Sequence, residues 1–206
     1  MKKIVKNKWF IFGLCSFMFF LFLAFVWFKK DLYFDELVYS LISKIKTDRM
    51  TSIVLLITSI GNPLSFILIT LILLVAIPNK KIAKNICLNL VLITITNYLI
   101  KLIVSRPRPI GINIIEEIGY SFPSAHAMVS VAFYGLLIFY ILTYMKKKRL
   151  KYTLSIIIGI MVFLVCMSRI YLGVHYASDV FAGIFLSLSY LILYIHWIKR
   201  DMKKLK

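Results

Sequence analysis

Long apolar runs separated by short polar turns make up most of this chain. Six runs approach or exceed the roughly 20 residues needed to cross a bilayer core: Trp9 to Phe28, Ser52 to Ile77, Ile82 to Val104, Ala125 to Met145, Tyr152 to Met167 and Val180 to Trp197. The fifth reaches full length if Ser168, Arg169 and Ile170 continue its helix. In lipid each span must satisfy its own backbone, so the runs are expected to be helices. The pattern predicts an all-α membrane protein, a six-transmembrane helix bundle forming one domain over residues 1–206.

Two interruptions refine this picture. Gly61, Asn62 and Pro63 break the second run near one end, and a proline inside a helix bends it or marks a restart. A kink is therefore the expected role of Asn62, ahead of any ligand role. Between the first two runs, Lys29 to Thr51 mixes charges with Leu37, Leu41 and Ile45. That spacing of four predicts one apolar stripe on a helix lying along the outer interface.

Composition agrees with a membrane protein: 61% of the 206 residues are hydrophobic and 15% aromatic, with mean hydropathy +0.90. The formal charge of +18 raises the question of nucleic acid, but its distribution answers it. With six spans and the N-terminus inside, the inner segments hold 17 of the 26 basic residues against Asp201 alone, a balance of +16. This is the asymmetry that orients membrane proteins, and no nucleic-acid partner is expected. The basic turns at Pro78 to Lys81 and Lys146 to Lys151 belong to the same inner face. The protein is thus expected in the cell membrane, multi-pass, with both termini cytoplasmic.

The start resembles a signal peptide, but Trp9 to Phe28 is too long and bulky and lacks a small-residue cleavage site, so a retained first span is expected. Cys15, Cys87 and Cys166 fall within apolar runs without metal-site spacing and act as small hydrophobes.

With the inner-face charges set aside, Lys101, Arg106, Arg108, His126, Arg169, His175 and Asp179 remain at the outer ends of spans or in the loop beside them. Charges bordering hydrocarbon are costly and point to function. Topology gathers cations, histidines and a carboxylate from four spans at one face. Such a set makes an anion site, for which tetrahedral phosphate is the natural occupant. Ser121 is the expected N-cap of the fourth span, with Pro123 in its first turn, so free N–H groups around Ser124 and Ala125 would point at the anion.

His175 and Asp179 stand four residues apart, one helical turn. A carboxylate on one ring nitrogen fixes the tautomer and leaves the other nitrogen free to attack. His126 would then protonate the leaving oxygen. No metal and no cofactor are expected, because acidic clusters that would hold magnesium are missing. Arg106, Glu116 and Glu117 read as solvated loop residues, although the glutamates could gate the site, and His196 reads as a structural histidine.

Three motifs now carry a resemblance. Lys101-Leu-Ile-Val-Ser-Arg-Pro-Arg108-Pro109 resembles K-x6-R-P, Pro123-Ser124-Ala125-His126 resembles P-S-G-H, and Ser168-Arg169, five residues, His175, three residues, Asp179 resembles S-R-x5-H-x3-D. Together, over residues 101–179, they resemble the type 2 phosphatidic acid phosphatases, relatives of bacterial acid phosphatases and vanadium haloperoxidases. The resemblance implies that Lys101, Arg108 and Arg169 bind phosphate and that Ser124 and Ala125 support it. It also implies that His175 attacks phosphorus, His126 serves the leaving group and Asp179 orients His175. Ala125 departs from the usual glycine; it keeps the N–H and fits if that residue is helical.

The expected activity is hydrolysis of a lipid phosphate at the outer face through a phosphohistidine. Phosphatidic acid, phosphatidylglycerol phosphate and undecaprenyl diphosphate are the candidates the resemblance implies. Phosphotransfer to an acceptor lipid would use the same site, and a transporter is the alternative of another class. Oligomeric state is not legible.

Overall fold

In a computed structural model, residues 2–28 and 33–203 are described, with side chains over 7–28 and 33–201. The predicted loop around Lys29 to Asp31 and the terminal lysines counted toward the inner charge, Lys2, Lys3, Lys6, Lys203, Lys204 and Lys206, lie outside the described residues or side chains. Among the described residues the structure is all helical: α1 (Lys2–Trp27), α2 (Tyr33–Ser43), α3 (Asp48–Ser59), α4 (Pro63–Ala76), α5 (Lys80–Val104), α6 (Ala125–Tyr144), α7 (Lys148–Tyr171) and α8 (Ala177–Lys203). Five of these are long and apolar enough to cross a membrane, and α3 with α4, bent by 46° at the break between them, makes a sixth when the pair is taken as one span. As expected, α7 runs on through Arg169.

The packing inverts that of a soluble protein. Phe10, Phe17, Leu56, Val75 and Ile103 are exposed on the outside of the bundle, where hydrocarbon suits them. Polar side chains of the spans point inward instead. On α5, Asn85 Nδ2 donates to the Tyr140 hydroxyl, Asn89 Nδ2 to Ala132 O and Asn97 Nδ2 to Pro123 O. These side chains lie on one face of α5 and pin it to α6 and the segment before it.

α6 is the central column, packed against α5, α7 and α8. A Cβ on Gly183 of α8 would stand 3.1 Å from Ser124 O, and one turn on, Ser187 Oγ donates to Met128 O at 2.7 Å. This small pair lets α6 and α8 approach, and Ser124 N–H reaches Asp179 O at 3.1 Å. The starts of two spans are thereby joined.

The kink in the second span has a clear cause. Pro63 begins α4 and brings no N–H to the ladder. The freed carbonyls find other donors: Ser59 O accepts from Asn62 N and Ser65 Oγ, and Ile60 O from the Tyr134 hydroxyl. α2 forms as predicted, but Ile45 lies past its end, and Leu37 and Leu41 face outward. Its other face, Phe34, Val38 and Ile42, packs on the bundle.

The basic turns lie at one end of the bundle, where Lys81 pairs with Asp201 at 2.6 Å. Nearby, His196 Nδ1 contacts Lys8 Nζ at 3.2 Å and its ring meets Trp9 edge-on, the structural role expected of it. The predicted site residues gather at the opposite end.

Candidate active site

The turn between α7 and α8 delivers the histidine and carboxylate. α8 begins at Ala177, so His175 precedes the helix instead of opening it. The two groups nevertheless face each other: His175 Nδ1 stands 3.5 Å from Asp179 Oδ2, an ion-pair distance long for a hydrogen bond. Asp179 Oδ2 also accepts from Tyr176 N at 3.0 Å, the side-chain half of a capping box that fixes the carboxylate. Arg108 NH1 lies 3.3 Å from His175 Nε2. A guanidinium only donates, so Nε2 is the unprotonated nitrogen and Nδ1–H faces Asp179. Burial pushes the His175 pKa down to about 4, with Lys101 and Arg108 adding to the effect and Asp179 opposing it. The ring is therefore neutral near pH 7, the form a nucleophile needs.

Arg108 contacts this ring directly, and Glu117 links Arg108 to Arg169. Arg108 NH1 donates to Val174 O at 2.9 Å and Nε to Gly119 O at 3.0 Å. Burial draws its pKa below the ordinary value while Glu117 and Asp179 oppose the shift. Arg169, almost fully buried on α7, donates from NH1 to Thr58 Oγ1 at 2.6 Å and from NH2 to Glu117 Oε1. Glu117 Oε2 lies 3.4 Å from Arg108 NH2. One carboxylate thus bridges the two guanidiniums, so Arg108 and Arg169 together form an anion cradle. Lys101, at the end of α5, donates to Tyr120 O and Ser121 O on the loop that carries Glu117.

The start of α6 completes the constellation. Ser124, not Ser121, is its N-cap, and Pro123 precedes the helix; Ser121 Oγ instead ties the loop to Pro107 O at 3.0 Å. The Ser124 N–H is taken by Asp179 O, so first-turn donors to an anion come from Ala125 and His126. Ala125 is helical, with no positive φ, and its methyl group is compatible with the turn. Ser124 Oγ and Arg169 Nε are buried without a protein partner. His126 Nε2 contacts Asn62 Oδ1 at 2.8 Å. The amide oxygen only accepts, so His126 keeps Nδ1 for a reacting group. Gly61 makes this approach possible, because a Cβ there would stand 2.9 Å from His126 Cδ2 and 2.6 Å from Val165 Cγ1.

Three further expectations are corrected. Arg106 is not a solvated loop residue: it pairs with Asp179 Oδ1 at 2.6 Å and Asp35 Oδ2 at 3.0 Å. Burial opposes its charge, yet Asp179 and Asp35 outweigh that and raise its pKa. Glu117 enters the cradle, whereas Glu116 is exposed as expected. Asn62 does more than occupy a kink, since the kink delivers it to His126. Sequence reasoning missed Asp35 and Thr58 altogether; acidic Asp35 on the apolar side of α2, beside Phe34 and Val38, was the available signal.

The family model of the PAP2 superfamily matches residues 82–203, the stretch holding the predicted site residues. Phosphatidylglycerophosphatase B of Bacillus subtilis (strain 168) is 34% identical over 96 residues, 45% of this chain, and the match spans about half (46%) of that relative. Among solved structures, a transmembrane PAP2-type phosphatidylglycerolphosphate phosphatase from Bacillus subtilis superposes with TM-score 0.78 at 22% identity, covering 88% of this chain and 94% of that one. LpxE of Aquifex aeolicus gives 0.67 at 21% identity, with coverage of 81% and 97%. At such identities the superpositions speak for the fold, a transmembrane helical bundle, while the family match covers more than half of the sequence. This chain belongs to the PAP2 superfamily.

Proposed function

We propose that this chain is a lipid phosphate phosphatase acting through a phosphohistidine at His175. The observation that carries the reading is a cavity of about 810 Å³ with two unlike ends. Lys101, Arg108, Glu117 and His126 line one end, and Phe66, Ile67, Leu90, Val91 and Val129 are among the apolar residues that line the rest; Arg108 NH1 connects the charged end to His175 Nε2 at 3.3 Å. A charged head beside an apolar groove matches a phosphorylated lipid and suits a soluble phosphate ester poorly.

In this reading phosphate displaces Glu117 from Arg108 and Arg169, and Lys101 with the α6 N-terminus supplies further positive charge. His175 Nε2 attacks phosphorus, the bond from phosphorus to the lipid oxygen breaks, and His126, entering the step as the imidazolium with Nε2–H on Asn62, gives that oxygen its Nδ1 proton. Water then attacks the phosphohistidine while His126 takes its proton, the N–P bond breaks, and phosphate leaves with His175 neutral again. A cationic cradle repels divalent ions, which favours chemistry without a metal.

Residues 1–206 act as one domain in this proposal. The +16 balance of the inner segments supports cytoplasmic termini and an extracytoplasmic site. The relative's name supports phosphatidylglycerol phosphate as a substrate, alongside phosphatidic acid and undecaprenyl diphosphate. The test is phosphate release by the purified chain from these three lipids, with and without EDTA. Release from at least one, unaffected by chelation, is expected; no release, or release abolished by EDTA, would overturn the respective part.

A further inference from the structure

Among the described side chains, Asp35 and Asp179 are the two buried carboxylates, 7% and 0% exposed. Arg106 joins them. A buried carboxylate is costly unless its lone pairs are filled, and the partners of Asp35 show what its burial organises. Its Oδ1 accepts from Ser178 N at 2.7 Å, and its Oδ2 from Ser178 Oγ at 2.8 Å and Arg106 NH2 at 3.0 Å. Ser178 N is an early N–H of α8, one of those a helix cannot satisfy internally. Asp35 therefore caps the catalytic helix from a different element, α2.

Arg106 completes the clamp from the opposite side. NH1 donates to Ser178 Oγ at 2.8 Å and Asp179 Oδ1 at 2.6 Å, and the guanidinium lies 3.9 Å from the centroid of the Tyr176 ring. NH1 is committed to the turn from Tyr176 to Asp179 and NH2 to Asp35, and none of these contacts is to Glu117 in the cradle. Asp179 Oδ1 is thereby held by Arg106, which leaves Oδ2 for Tyr176 N and His175. We propose that Asp35 and Arg106 are positioning residues that set the geometry of the His175–Asp179 pair by clamping the first turn of α8. The inference rests on the phosphatase reading and adds α2 to the machinery, although α2 carries none of the residues assigned to phosphate.

The test uses the full chain in detergent micelles, with dioleoyl phosphatidic acid and p-nitrophenyl phosphate as probes. Arg106→Ala should lower kcat on the order of 100-fold, the scale of a small misplacement of reacting groups, with KM within about threefold of wild type. Guanidinium chloride should recover part of the lost kcat by refilling the site between the carboxylates. Asp35→Ala should act in the same direction, and the double variant should be no worse than Arg106→Ala, because the two act as one unit. If either alanine variant fails to fold, Arg106→Lys, which keeps charge but loses the fork, and the isosteric Asp35→Asn carry the comparison. A rise in KM at unchanged kcat would make Arg106 a phosphate ligand and overturn the proposal. So would full kcat in folded Arg106→Ala, or strictly additive losses without guanidinium rescue. Turnover surviving in His175→Ala would instead overturn the phosphatase reading itself, whatever Arg106 does.

Discussion

Glu117 reaches across the site end of the bundle to pair with Arg169, joining a partly exposed loop carboxylate to a guanidinium that is 1% exposed. In the proposed reaction this pair must open before phosphate enters. Glu117→Gln should therefore bind anions more tightly, lowering the inhibition constant for inorganic phosphate or vanadate by about tenfold, the scale of one weakened charge-assisted contact. Inhibition titrations of the two proteins measure this directly. Weaker inhibition of the variant would show that Glu117 helps hold the anion instead of competing with it.

The contact of His126 with Asn62 makes a prediction about the leaving group. Asn62→Ala removes the acceptor that orients His126, so hydrolysis of a lipid phosphate, whose alkoxide needs a proton, should slow by about 10- to 100-fold. Release of p-nitrophenol from p-nitrophenyl phosphate in the first, phosphohistidine-forming turnover needs no proton from His126 and should proceed at nearly the wild-type rate. Equal loss on both substrates would assign Asn62 to packing of the kink.

In the proposed reaction the neutral state of His175 sets the acid limit. Its folded pKa of about 4 means the nucleophile is present above that pH and is lost as pH falls through it. kcat/KM, corrected for ionisation of the substrate, should therefore hold from neutrality down to about pH 4 and fall below it. Lys101 is one of the charges that depress this value, so Lys101→Met should move the acid limb upward while it also weakens phosphate binding. An acid limb near the ordinary histidine value in wild type would contradict the burial of the ring.

Orientation is testable without activity. After Cys15, Cys87 and Cys166 are replaced, a single cysteine at Glu116, exposed at the site end, should react with an impermeant reagent in intact cells. One at Lys147, in the basic turn, should react only after lysis. The reverse pattern would place the site in the cytoplasm.

The spans and the three motifs were legible in the sequence because both are local properties. Hydropathy is summed over about 20 adjacent residues, and the spacings within Lys101 to Arg108, Pro123 to His126 and Arg169 to Asp179 reflect short stretches of backbone. Even the break at Pro63 follows from one missing N–H. What the break accomplishes does not, since Asn62 meets His126 across 64 positions. The same holds for Thr58 and Arg169, 111 positions apart, and for Asp35 and Ser178, 143 apart. Arg106 and Arg108 share a polar, proline-rich loop, and there the motif singled out Arg108 alone. Only the packing of α2, α7 and α8 turns one toward two buried carboxylates and the other toward His175. The tertiary structure decided their roles because the free energy of a charge depends on its surroundings once water is excluded, and in this protein those surroundings come from helices distant in the chain.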